Sequence, residues 1–194
     1  MIRFRQFLPL PLATLVGVSM VLAPVARGQQ APPMTREEKI ANAMTAAPAQ
    51  LANEATIMDW PASDSGQPTM LRPGTNGWIC YPDSPGSTGN DPMCIDKTWQ
   101  DWMSAYKAHQ PPQITRLGLA YMLAPGGGEA SNTDPYATGP TADNQWGQNG
   151  PHLMLIVANP RALLGLPTTR QEGAPYVMWP GTPYVHIMVP VAAK

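Results

Sequence analysis

The chain has 194 residues, of which 24 are proline, 17 glycine and only 2 cysteine; 43% are hydrophobic, 13% are charged, and the formal charge is −1. So many backbone breakers exclude a coiled coil or a helical bundle. Two cysteines exclude a disulfide-dense miniprotein, and the apolar fraction is too high for a disordered chain.

Arg3 and Arg5 precede an uncharged, mostly apolar run from Phe7 to Ala26, with small residues after it. These are the three parts of a secretory signal, and Ala26 and Gly28 place its cleavage after Gly28. A run of this length also suits a membrane span, but Pro9, Pro11 and Pro24 interrupt it, and no cysteine near the cleavage point supports lipid attachment. The expected organisation is a signal peptide over 1–28, a flexible lead over 29–34 and one domain over 35–194. The expected location is periplasmic or secreted, with no membrane association after cleavage. Without Arg3, Arg5 and Arg27, 9 basic residues face 13 acidic ones, a formal charge of −4. No basic stripe remains to neutralise phosphates, so nucleic acid is not an expected partner.

Thr35 with Glu38 three residues later forms a capping box, and Ile40, Ala43, Met44 and Ala47 make one apolar helical stripe up to Pro48. Residues 55–60, 69–72 and 78–81 read as strands. Asn76-Gly77 between the last two is a hairpin signal, because both residues tolerate positive φ. An oxidising compartment joins Cys80 to Cys94. A closed loop of about 15 residues is worth about 3 kcal/mol; its Pro82, Pro85, Gly86, Gly89 and Pro92 forbid regular structure, and the spacing is unlike a redox C-x-x-C.

Thr98 is the expected cap of a second helix, with Trp99, Trp102, Met103 and Tyr106 as its buried stripe and Pro111-Pro112 as its stop. Over 114–123 the side chains alternate. Thr115, Leu117, Leu119, Tyr121 and Leu123 are expected on the inner side and Arg116, Gly118 and Ala120 on a half-exposed one. Residues 124–150 show no period, a length of loop that is usually functional or disordered. His152–Ala158 is apolar on both faces and reads as a central strand, Asn159-Pro160 starts a short helix, and strands over 176–179 and 184–191 close the chain. The expected fold is α+β: a single domain, an antiparallel sheet of five or six strands with two main helices on one face and a disulfide-closed loop.

G-x-S-x-G, P-loop, dinucleotide-fingerprint and H-E-x-x-H motifs are all missing. The most pointed pattern is a repeated H-x-M, His152-Leu-Met154 and His186-Ile-Met188. Side chains two apart on a strand share a face, so on neighbouring strands two imidazoles and two thioethers could gather around copper, since thioethers are soft ligands. The competing reading makes Met154 and Met188 core filler and has each histidine bonding a backbone carbonyl. The 124–150 loop offers Ser131, Asn132, Asp134, Tyr136 and Trp146 as a polar, aromatic ligand-binding cluster; the competing reading is a solvated Ω-loop. A hydrolase there requires paired carboxylates or a nucleophile–base pair, such as Asp134 with His152 or His186.

The stretches LRPGTNGWICYPD (71–83), DPMCIDKTW (91–99), LAYML (119–123), ASNTDPYAT (130–138) and MWPGTPYVHIMVPV (178–191) resemble an uncharacterised family of exported bacterial proteins. The resemblance spans about residues 35–191, implies one exported domain, and carries over no catalytic residue. The preferred reading is a non-enzymatic binding or structural protein with a small-molecule or protein ligand and no required cofactor. The alternatives are a copper-binding protein through the His-x-Met strands and a hydrolase with its site in 124–150.

Overall fold

A computed structural model describes residues 33–63 and 66–191. The expected signal at 1–28 lies outside the described residues. Helix α1 (Arg36–Met44) starts as its sequence requires: the Thr35 hydroxyl accepts from the Glu38 amide at 3.3 Å, and the Glu38 carboxylate accepts from the Thr35 amide at 2.7 Å. A short α2 (Ala49–Ala52) follows Pro48.

The main body is one eight-stranded sheet. Its members in chain order are β1 (Thr56–Asp59), β2 (Thr69–Arg72), β3 (Ile79–Tyr81), β4 (Met93–Ile95), β5 (Gly118–Met122), β8 (His152–Ile156), β9 (Tyr176–Met178) and β10 (His186–Pro190). The spatial order is β2-β1-β3-β4-β5-β8-β10-β9. All pairings are antiparallel except β1 with β3. The expected five or six antiparallel strands are therefore eight in a mixed sheet. The remaining two strands, β6 (Glu129–Ala130) and β7 (Gly147–Gln148), pair inside the supposedly structureless 124–150 segment. Pro160–Leu163 forms the short 3₁₀ turn that Asn159 caps.

Asn76-Gly77 does not close a β2–β3 hairpin, because β1 lies between those strands. The turn instead folds over the start of β1: Thr75 N–H donates to the Glu54 carbonyl at 2.8 Å and the Asn76 amide donates to Leu51 O at 2.9 Å. Gly74 sits so close that a Cβ there would lie 2.2 Å from the Thr56 nitrogen.

The two long helices cover opposite faces, not one. β3 and β4 are apolar on both sides, so each face requires a cover. Cys80 and Cys94 are directly opposed across β3 and β4, joined as a disulfide, fully buried, and face α1 together with Ile57 and Leu71. Tyr81 and Ile95 face the other way, toward α3 (Lys97–Lys107). The cap of α3 is Asp96, two residues before the expected Thr98. One carboxylate oxygen accepts from the Trp99 amide at 2.9 Å, and the other accepts from Leu119 N–H at 2.8 Å, tying helix to β5. Thr98 lies inside the first turn and accepts from the Arg116 side chain at 3.1 Å.

β5 also turns the opposite side inward from the one expected. Gly118 and Ala120 are buried beneath α3, while Leu117 is 61% exposed. The helix brings Thr98 and Trp99 so close that a Cβ on Gly118 would meet Thr98 Cγ2 at 2.9 Å. Bulky indoles on the helix require small residues beneath them. Among the described residues no helix is long and apolar enough to cross a membrane.

Candidate functional site

Between α3 and the β5-β8-β10-β9 half of the sheet lies a chamber of about 310 Å³. Its sheet wall follows from the register. In β8 alternate residues face α3, which brings His152 and Met154 inward; in β10 the same alternation brings in His186 and Met188. Met154 and Met188 are directly opposed, as are His152 and Met122 on β5, and His186 and Met178 on β9. The helix wall is the stripe Trp99, Trp102, Met103 and Tyr106. Trp60 and Met93 close one side and Gly127–Ala130 another, while Asp91, Lys107, Glu129 and Asn149 supply the polar lining.

All four residues of the two H-x-M pairs thus share one wall. The histidines, however, stand at opposite ends of the β8–β10 ladder: His152 pairs with Pro190, four residues along β10 from His186. That offset is about 13 Å along the strand, so each imidazole has its own thioether opposite it at its own end of the ladder: Met122 for His152 and Met178 for His186.

Each imidazole is oriented by the backbone. His152 Nδ1 meets Gly150 O at 2.7 Å and His186 Nδ1 meets Tyr184 O at 3.0 Å. A carbonyl only accepts, so Nδ1 carries the proton and Nε2 the lone pair. Burial pushes both rings down to about 4, more than the carbonyl contacts raise them, and both are neutral at ordinary pH. Neither Nδ1 is free to pair with Asp134.

Among the described residues, three polar atoms of chamber side chains are buried without a partner: Nε1 of Trp99, Nε1 of Trp102 and Nε2 of His186. Each such atom costs about 1–3 kcal/mol. They belong to adjoining rings, with His186 edge-on to Trp99 at 5.3 Å, Trp102 at 5.9 Å and Trp179 at 5.0 Å. Near-parallel rings continue the wall outward: Trp102 to Tyr106 at 5.3 Å, Tyr106 to Tyr136 at 5.0 Å, and Tyr136 to His109 at 4.4 Å.

The loop residues expected to bind a ligand serve mainly to build this wall. Trp179 has φ of 55°, a left-handed conformation unusual for a bulky residue. It is held there by donation from its indole to Ser131 O at 2.9 Å and from its amide to Asn132 O at 2.8 Å. The Ser131 hydroxyl donates to Asn144 O and accepts from Asp134 N–H, both at 2.8 Å. The Asn132 amide, fully buried, donates to Thr168 O at 2.9 Å and Gln145 Oε1 at 3.1 Å. Asp134 accepts from the Tyr136 amide at 2.9 Å. Trp146 is half-buried, its indole donating to Glu129 at 3.2 Å. Of the five, Asp134 and Tyr136 are exposed, and the five do not gather around one cavity.

Trp60, Met93, Met122, Met178 and Asp91 are absent from the sequence-based candidates. The readable signal was the α3 stripe itself, too bulky for filler opposite Gly118 and Ala120. Asp91 comes from the disulfide loop. Burial, then a hydrogen bond with the Asp83 carboxyl, pushes its carboxyl up to about 6. Comparisons with protein-family models, with curated proteins and with solved structures find no match.

Proposed function

We propose that this protein is an exported, non-enzymatic binding protein that takes its ligand into the chamber between α3 and the sheet. The observation that carries the reading is the chamber lining: about 310 Å³ of space walled by thioethers, indoles and two neutral imidazoles, with unpaired polar atoms on Trp99, Trp102 and His186. Such a wall holds a ligand by desolvation and soft contacts, while a few polar atoms orient it. Export is supported by the leader-like opening of the sequence and by the buried Cys80–Cys94 bond, since such bonds persist in oxidising compartments. A hydrolase centred on 124–150 is the weaker reading, because Ser131 and Asp134 are engaged by their own loop's backbone.

Titration with the apolar fluorophore 8-anilinonaphthalene-1-sulfonate, read by energy transfer from tryptophan, tests the reading. One saturable site per chain is expected. Ala124→Leu, which builds a longer side chain into the chamber, is expected to weaken it at least about tenfold, and Trp146→Phe to leave it unchanged. Non-saturating binding, or binding indifferent to Ala124→Leu in a folded variant, overturns it.

A further inference from the structure

Directly opposed residues of an antiparallel ladder share a face, as do residues two apart on one strand. His186 therefore has a thioether on two sides: Met178 directly across on β9 and Met188 one inward step along β10. The three side chains are 2%, 4% and 1% exposed. The His186 ring is locked by its Nδ1 contact to Tyr184 O, and its Nε2 lone pair is buried with no partner among the described residues. A carbonyl on one ring nitrogen, fixing the tautomer and freeing the other, is the usual support of a metal-bound histidine.

We propose that His186, Met178 and Met188 form a binding site for Cu(I), a soft monovalent cation. This deepens the chamber reading and rests on it. The donor set is one imidazole nitrogen and two thioether sulfurs, all neutral and soft, which selects Cu(I) over harder ions. Among the described residues no group of three or more His, Cys, Asp or Glu is placed to hold a metal, so harder donors offer no competing cluster. A single positive charge among neutral ligands is the least costly charge to bring into an apolar chamber, and three indoles within 6 Å of the imidazole can stabilise it further. Methionine's unbranched thioether lets the ligands close around the ion without moving the strands.

His152 has a similar setting, with Met122 across β5 and Met154 two along β8, yet it is the poorer site. Its Nε2, unlike that of His186, is not among the buried atoms without a partner, and His152 borders a second cavity also lined by Arg170 and Met188.

The test uses the whole protein under ascorbate, competing for Cu(I) against bicinchoninate, with methyl NMR of the wild type titrated with redox-inert Ag(I). One Cu(I) per chain is expected, with the Met178 and Met188 ε-methyl resonances shifting on Ag(I) addition. Met178→Leu/Met188→Leu, which conserves volume, is expected to lower affinity at least about 100-fold, and Met70→Leu, at an exposed methionine outside the chamber, to leave it unchanged. The proposal is overturned by failure to compete for Cu(I), by full retention in the folded double variant, by loss in Met70→Leu, or by Ag(I) moving only other methionines. Should the double variant not fold, the wild-type methyl shifts decide. If the fluorophore binds and Cu(I) does not, the chamber reading stands without the metal site; if neither binds, both fall.

Discussion

Adding one methyl group at Gly118 separates two opposite expectations for β5. Were Gly118 on a half-exposed side, alanine would stabilise the protein by about 0.5–1 kcal/mol, through strand preference and a less flexible unfolded chain. The structure puts the new Cβ 2.9 Å from Thr98 Cγ2, 3.0 Å from Thr98 Cβ and 3.3 Å from Trp99 Cδ1. None of these is the free end of a flexible chain, since Thr98 is pinned by Arg116 and Asp96 ties the same helical turn to β5. Overpacking of this kind costs typically 1–3 kcal/mol, so the net expectation for Gly118→Ala is a loss of about 1–2 kcal/mol. For a domain of this size that is a fall of roughly 3–6 °C in Tm. Thr98→Ser removes Cγ2 while keeping the hydroxyl, and is expected to restore about half the loss. Urea unfolding of the wild type, both single variants and the double variant gives the coupling directly. A stabilising Gly118→Ala, or additive effects in the double variant, refutes the docking of α3 on this face.

Removing the disulfide with Cys80→Ala/Cys94→Ala is expected to cost about 3 kcal/mol in urea unfolding; an unchanged midpoint would contradict a bond present in the folded protein. The depressed imidazoles make stability pH-dependent. His152 and His186 fall from 6.5 to about 4 on folding, so between those values the unfolded chain binds more protons and stability rises with pH. Each contributes at most about 3 kcal/mol, all of it present above pH 6.5 and lost as pH falls toward 4. Asp91, raised from 3.8 to about 6, works in the opposite sense over nearly the same window, so Asp91→Asn is expected to steepen the rise measured by urea titration between pH 4.5 and 7. Asn132→Ala leaves buried carbonyls without their donor and is expected to cost about 2–3 kcal/mol, together with a red shift of Trp179 emission as its backbone anchor loosens. Unchanged emission would show that Trp179 is held by other means.

The local signals that held were those whose physics is complete within a few residues. The Thr35–Glu38 capping box needs only a hydroxyl and a carboxylate three apart. The α3 stripe needs only helical spacing, and the paired cysteines only an oxidising setting. The signals that failed each omitted a neighbour supplied from elsewhere. Asn76-Gly77 has the chemistry of a hairpin turn, but β1 inserts between its strands. Thr98 is a good cap, but Asp96 reaches both the helix and β5. Leu119 and Tyr121 are the more hydrophobic side of β5, yet two tryptophans from α3 claim the small side.

The candidate site divides in the same way. The H-x-M spacing alone determined that each histidine shares a face with a methionine, because alternation along a strand is a property of the backbone. Which thioether stands across from each imidazole depends on register and strand order, and these are set by pairings between residues distant in the chain. Only the folded sheet decided that His152 and His186 lie at opposite ends of a ladder, that Met178 is the third member beside His186, and that Ser131 and Asn132 of the polar loop are buried, holding Trp179 as a wall. Periodicity reports which side of an element a residue occupies; what fills the space on that side is decided by the packing of the whole chain.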